Sequence, residues 1–322
     1  MLFRRIETTN VYKSLAFYHS KQKLKLSTDF ADFLNLKILK SAASVKSADK
    51  DFDWKPYNGQ MPKRDLTFRT PLMNAAGSLG FAPDARLAVS WDDFGAFVTN
   101  PLSLRPRAPA KDPELIPYPG GFLLHSGLPN PGFSAALKKY APRWADSKLP
   151  IIVHLMADRP EETARMVQQL ENIENIAAAE LGFAPLLAND IILVALEMSL
   201  GELPLIVSLP WEQVLTLGPR LMQAGAIAIS LAAPRGALPL NTEALKTPLR
   251  GQAEHRTLIT GRLYGPSLFP QALSLVRDAA RIGIPIIASG GVYSQENIDA
   301  MLSAGAQAVQ LDSLLWRGWK IG

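Results

Sequence analysis

Cysteine is absent from the 322 residues. That excludes disulfides, thiolate-bound zinc, iron–sulfur clusters and any thiol nucleophile. Histidine is scarce: His19, His125, His154 and His255 stand at scattered spacings, which argues against a histidine-rich metal site. Long apolar runs are missing. Ile191–Leu196 ends at Glu197, and Leu203–Leu209 lies between Glu202 and Pro210. Neither approaches the roughly 18 residues that cross a bilayer. The first ten residues carry Arg4, Arg5 and Glu7 with no apolar stretch behind them. No secretory signal is therefore expected, and a cytoplasmic protein is.

Acidic residues are scarce only at one end. Residues 1–50 hold ten Lys/Arg against four Asp/Glu, a net of +6, while the whole chain is +5. The remainder is near neutral, so the main body has no charge pattern for nucleic acid. The chain is 48% hydrophobic and 20% charged, enough to bury a large core and too apolar for global disorder.

From about residue 70 short apolar runs alternate with amphipathic stretches, the pattern of βα units and a parallel sheet. Eight strands are predicted: Pro71–Ala75, Ala96–Thr99, Ile151–Leu155, Ile176–Leu181, Leu205–Leu209, Ala226–Leu231, Pro285–Ser289 and Ala308–Leu311. Helices are predicted from Pro160 to about Asn172, from an Asn189 or Asp190 cap to about Leu200, from Pro270 to Arg281 and from Glu296 to Ser303. Gly225 and Gly305 each sit where a helix would end before a strand. Eight strands with helices between them suit a closed (β/α)8 barrel. Two intervals are much longer than the rest, Ala96 to Ile151 and Ala226 to Pro285. Placed after strands two and six, they lie on the C-terminal face, where such insertions form lids or ligand walls.

Glycines mark the same face. Ser289-Gly290-Gly291-Val292 ends the seventh strand, Gly265-Pro266 precedes a helix, and Asp312-Ser313 ends the eighth. Backbone N–H groups after strands seven and eight of a barrel can cradle a phosphate. A plain tight turn is the alternative for the glycine pair.

Six segments carry a resemblance. They are Pro71–Gly77 (PLMNAAG), Val98–Arg107 (VTNPLSLRPR), Pro119–Gly132 (PGGFLLHSGLPNPG), Gly261–Pro270 (GRLYGPSLFP), Ile284–Val292 (IPIIASGGV) and Gly305–Gln310 (GAQAVQ). In this order they resemble the dihydroorotate dehydrogenases, FMN-dependent barrels of pyrimidine synthesis. The resemblance covers about three quarters of the chain and implies FMN across the barrel mouth. It sets Ala76, Gly77 and Ser78 against the flavin ring, and Gly265, Gly290, Gly291 and Ser313 at its phosphate. It also implies cofactor contacts at Asn100, His154 and Ser208, and a substrate contact at Asn130.

The departures are as specific as the matches. Asn100 and Ser208 stand where the family has lysines whose charge balances the reduced cofactor. Leu124, Gly182 and Ala233 replace substrate-gripping asparagines, and His154 replaces another. The loop Gly182–Leu187 has neither the Cys nor the Ser that serves the family as proton-abstracting base. Asp312 replaces a Gly beside the phosphate, and Tyr264 replaces a small residue nearby. No catalytic residue can therefore be carried over. Two readings stay open: an FMN-dependent oxidoreductase of pyrimidine-type substrates, or a catalytically degenerate barrel kept as a binding or assembly subunit.

Further residues invite roles. His125 and His154 fall at the predicted mouth, Glu180 inside strand four needs a partner that His154 could supply, and Arg105, Arg107 and Arg262 could meet an acidic ligand. Trp316 and Trp319 read as packing anchors. Residues 1–62 form a basic, partly helical extension before a barrel domain at 63–322. Phe30–Leu39 is its amphipathic stretch, closer to a packed helix or subunit contact than to a membrane-surface one. The expected partners are a small molecule at the barrel mouth and a second copy or a partner subunit, with no nucleic acid.

Overall fold

The computed structural model describes residues 66, 68–110, 114–157, 159–239 and 258–317. The amphipathic stretch at 30–39, the N-terminal extension and Trp319 lie outside the described residues. All eight predicted strands are present. They are β1 (Leu72–Asn74), β2 (Phe97–Val98), β5 (Ile151–Ala157), β6 (Ile176–Phe183), β7 (Leu205–Leu209), β8 (Ala228–Leu231), β11 (Ile286–Ala288) and β12 (Ala308–Leu311). They form one parallel sheet in the order β1-β12-β11-β8-β7-β6-β5-β2. A parallel bridge between Met73 and Ala96 joins the two ends. The fold is a (β/α)8 barrel.

Among the described residues six α-helices surround it: α1 (Phe133–Ala145), α2 (Pro160–Glu171), α3 (Asn189–Met198), α4 (Trp211–Ala224), α5 (Phe269–Arg281) and α6 (Gln295–Ser303). Gly225 and Gly305 do close α4 and α6, with φ of 112° and 107°, conformations that carry no side-chain penalty in glycine. The cap expected of Asn189 or Asp190 is not made. Helix α3 starts after Ala188 with no side-chain cap, because both polar residues already sit in the first turn.

Strand alternation divides the core in two. Outward residues such as Leu72, Phe97, Val153, Leu155, Val207 and Ile229 pack against the helices. Inward residues Met73, Ala96, Val98, Ile152, Ala178, Ile206, Ala228, Ile287 and Ala308 fill the barrel near its N-terminal end. Small and large side chains share that layer, as a narrow barrel requires.

The two long insertions do more than wall the mouth. The first supplies β3 (Glu114–Tyr118) and β4 (Gly121–His125), the second β9 (Arg235–Pro239) and β10 (Leu258–Tyr264). These pair antiparallel in the order β3-β4-β10-β9. Tyr264 faces Phe122 and Arg262 faces Leu124 across the β10–β4 seam. A segment after strand two is thereby joined to a segment after strand six, and a four-stranded sheet is anchored at the C-terminal end of the barrel.

Candidate functional site

One residue layer above the apolar filling, the inward side chains turn polar. His154, Glu180, Ser208, Ser230, Ser289 and Gln310 are all buried. Each is two residues beyond an inward apolar residue on its own strand. The centre is an ion-pair geometry foreseen from the sequence: His154 Nδ1 lies 2.6 Å from Glu180 Oε2. Gln310 Nε2 donates to the other carboxylate oxygen at 2.8 Å. The Ser230 hydroxyl approaches the same carboxylate but has no hydrogen bond that closes. Burial alone would raise the Glu180 pKa, but the bonds from His154 and Gln310 outweigh it and hold the carboxyl below the ordinary range. The Thr99 hydroxyl accepts the His154 backbone N–H at 3.0 Å.

Gly182 explains how the imidazole fits. A Cβ at this position would collide with His154 Nε2 and Cε1. The missing side chain at 182 and the larger one at 154 are complementary changes on neighbouring strands. Histidine occupies the space that a longer residue at 182 would need.

The other predicted residues sit around this layer. Ala76, Gly77 and Ser78 follow β1; the Ser78 hydroxyl donates to Ala75 O at 2.6 Å. Trp316 Nε1 donates to Ser78 O at 2.9 Å. Trp316 is 43% exposed, so it packs from the rim. It packs edge-tilted against Phe122 and Tyr264, which stack at 5.5 Å. Asn100 follows β2, and its Oδ1 accepts the Gly80 N–H at 3.0 Å. Ser208 is buried on β7, opposite Ser230 on β8. Asn130 is buried, and its amide is spent on Ser103, Leu128 and Gly132.

At the phosphate-side glycines the packing is tight. A Cβ on Gly265 would strike Gly120 O, and one on Gly291 would strike the Phe269 backbone. Gly290 has the Trp211 indole against it, 2.8 Å from a would-be Cβ. The Trp211 Nε1–H is buried and has no hydrogen-bond partner. Ser313 lies across the turn, where Tyr293 Oη meets its hydroxyl at 2.7 Å. Asp312 is buried, and burial pushes its pKa up against the opposing bonds from Ser313. Tyr264, also buried, faces Asp312 and Arg262, and its phenol pKa is likewise raised by burial.

The remaining candidates are dispersed. His125 Nδ1 lies 3.1 Å from Thr260 O on the insertion sheet, outside the barrel interior. Arg105 and Arg107 are exposed. Arg262 pairs across β10–β9 with Arg235, which sequence reading did not single out. Like charges directly opposite repel, and burial with the Arg262 charge lowers the Arg235 pKa. Among the described residues no acid salt-bridges either arginine, and no group of three or more acidic or histidine side chains is placed to hold a metal. No helix of the described residues is long and apolar enough to cross a membrane.

Comparison with known proteins accounts for this arrangement. Residues 62–182 match the dihydroorotate dehydrogenase family, and residues 261–316 match the nitronate monooxygenase family. The chain is 30% identical over 263 residues to the catalytic subunit of dihydroorotate dehydrogenase B (NAD(+)) of Pelobacter propionicus, covering 76% of this chain and 84% of that one. This chain belongs to the dihydroorotate dehydrogenase family. The corresponding subunits of Trichlorobacter lovleyi and Geobacter sulfurreducens are 29% and 28% identical over 261 and 263 residues, covering 76% of this chain and 84% and 83% of theirs.

The dihydroorotate dehydrogenases are FMN-dependent, and one feature of this member fits the group. The Trp211 indole, packed against Gly290, has a buried N–H without an acceptor, which a phosphate oxygen would satisfy.

Proposed function

We propose that this chain is a dihydroorotate dehydrogenase-like flavoprotein: a barrel that binds FMN at its mouth and oxidises or reduces a pyrimidine-type or similar small substrate. The observation that carries the reading is the orphan indole N–H of Trp211, whose ring packs against Gly290 at the end of the seventh barrel strand. A buried donor without an acceptor costs about 1–3 kcal/mol, and an anion at the turn relieves it. In this reading Ala76, Gly77, Ser78, Asn100, His154 and Ser208 surround the ring, and Gly265, Gly290, Gly291 and Ser313 surround the phosphate. FMN supplies the redox chemistry.

The chain's own residues set what that chemistry can act on. The Asn100 side chain is tied to Gly80, and the interior pair of His154 with Glu180 adds no net cation when both are charged. The loop Gly182–Leu187 supplies no proton acceptor. Oxidation of dihydroorotate by this chain alone is therefore not expected. Asn130 is a loop strut as well as the one retained family amide, so the substrate differs from dihydroorotate or a second subunit completes the site. The relatives are catalytic subunits, which supports a partner chain beside this one. A domain boundary near residue 62, where the family match begins, belongs to the same proposal.

The test is a visible spectrum of the purified protein, with acid release and chromatography of the bound material. A flavin band and released FMN near one per chain are expected. Anaerobic addition of dihydroorotate should leave the band unbleached. A protein that stays colourless and takes up no added flavin would move the reading to a degenerate barrel serving as a binding or assembly subunit.

A further inference from the structure

Asp312 stands at the C-terminal end of β12, directly before Ser313. Its Oδ1 accepts both the Ser313 backbone N–H and the Ser313 hydroxyl, the latter at 3.0 Å. With that proton committed, the hydroxyl can only accept from Tyr293 Oη, 2.7 Å away. All three groups are thereby satisfied among themselves. The backbone N–H and the hydroxyl are the donors that Ser313 could offer to an anion in the turn after the eighth strand. One carboxylate oxygen already holds them.

A second observation is independent of this cluster. Across the turn, Trp211 packs its Cζ2 against Gly290, and its buried Nε1–H has no partner. One side of the turn is thus short of an acceptor, and the other has a built-in one. We infer that the Asp312 carboxylate is an internal anion that competes with the phosphate of a bound flavin for the Ser313 donors, and so weakens the barrel's grip on the phosphate of FMN without preventing its binding. The inference rests on the flavin reading above and goes beyond it by naming the residue that weakens that grip. Two anions cannot both accept one N–H, and their charges repel at contact distance. A phosphate must displace the carboxylate from Ser313, whereas a flavin without phosphate leaves it in place.

The experiment compares FMN with riboflavin, which carry the same ring. Each is titrated into the full-length protein, Asp312→Asn and Asp312→Gly, with flavin fluorescence quenching as the readout. Asp312→Gly frees both donors and removes the charge, so FMN affinity should rise by about tenfold, the effect of some 1.4 kcal/mol. Asp312→Asn removes the charge but keeps an acceptor oxygen, so a smaller gain is expected. It also retains the side-chain volume, and serves if the glycine variant fails to fold. Riboflavin affinity should be unchanged in both. An equal gain for riboflavin would overturn the inference, since Asp312 would then act on the ring pocket or on the fold. Riboflavin binding with no FMN gain in either variant would also overturn it, while leaving the flavin reading intact. Failure of all three proteins to bind either flavin would overturn both.

Discussion

Glu180 is the most consequential single residue inside the barrel. It is 1% exposed, and its carboxylate is held by His154 and Gln310. Its pKa in the folded protein lies below the ordinary 4.5. A depressed carboxylate stabilises the fold fully above its unfolded value and loses that contribution as pH falls through the folded one. Glu180→Gln should therefore cost about 2 kcal/mol near neutral pH. The difference should shrink in urea melts as pH falls below 4.5, where the unfolded chain's carboxyl takes up its proton before the folded one does. A cost that is constant with pH would show that charge plays no part. Gly182 is the second residue-scale test. Gly182→Ala should push the imidazole out of reach of Glu180 and lower stability by about 1–3 kcal/mol. Pairing it with a smaller residue at 154 should recover part of the loss, measurable as a double-mutant coupling.

Among the elements, the four-stranded insertion sheet matters most. Its β4 and β10 carry Phe122 and Tyr264 to Trp316, and Trp316 bonds Ser78 beyond β1. Rim and sheet are thus coupled through one indole. Trp316→Phe keeps much of the ring area but removes the donor, so it should cost about 1 kcal/mol and raise hydrogen exchange at the loop after β1. Unchanged exchange there would show that the indole bond does not hold that loop. Gly291 has the opposite character. Its φ is +71° and its α-carbon lies against the start of α5. Gly291→Ala meets both a strained conformation and the Phe269 backbone. A loss of several degrees in Tm is expected, with flavin affinity falling alongside.

Across the whole molecule, a ligand spanning the mouth would touch the ends of several strands at once. Binding to the folded state alone stabilises by mass action, about 2.7 kcal/mol at one hundred times Kd. Saturating FMN should therefore raise the melting temperature of the full chain, and raise it further in Asp312→Gly. A melting temperature indifferent to FMN would count against a flavin at the mouth. Arg235 and Arg262, which no acid salt-bridges among the described residues, add positive charge on the insertion sheet.

The eight barrel strands and most helix ends were legible in the chain, because alternation and terminal glycines are local properties that one segment carries by itself. The His154–Glu180 contact was legible for a related reason: adjacent parallel strands place equivalent positions side by side. A polar residue near the end of five strands (IIVHL, AAAEL, LIVSL, AISL, AVQL) was a signal for the interior layer, of which the sequence singled out His154, Glu180 and, through the resemblance, Ser208. Other features required the tertiary structure. The pairing of β4 with β10 joins segments more than a hundred residues apart, and no local pattern records a partner at that distance. The engagement of Asn130, the exposure of Trp316 and the carboxylate of Asp312 turned back onto Ser313 depend on which atoms converge in space. Sequence determined the barrel and the place of its mouth, since burial periodicity is written along the chain. Only packing decided which of the polar groups there are already satisfied and which are left for a ligand.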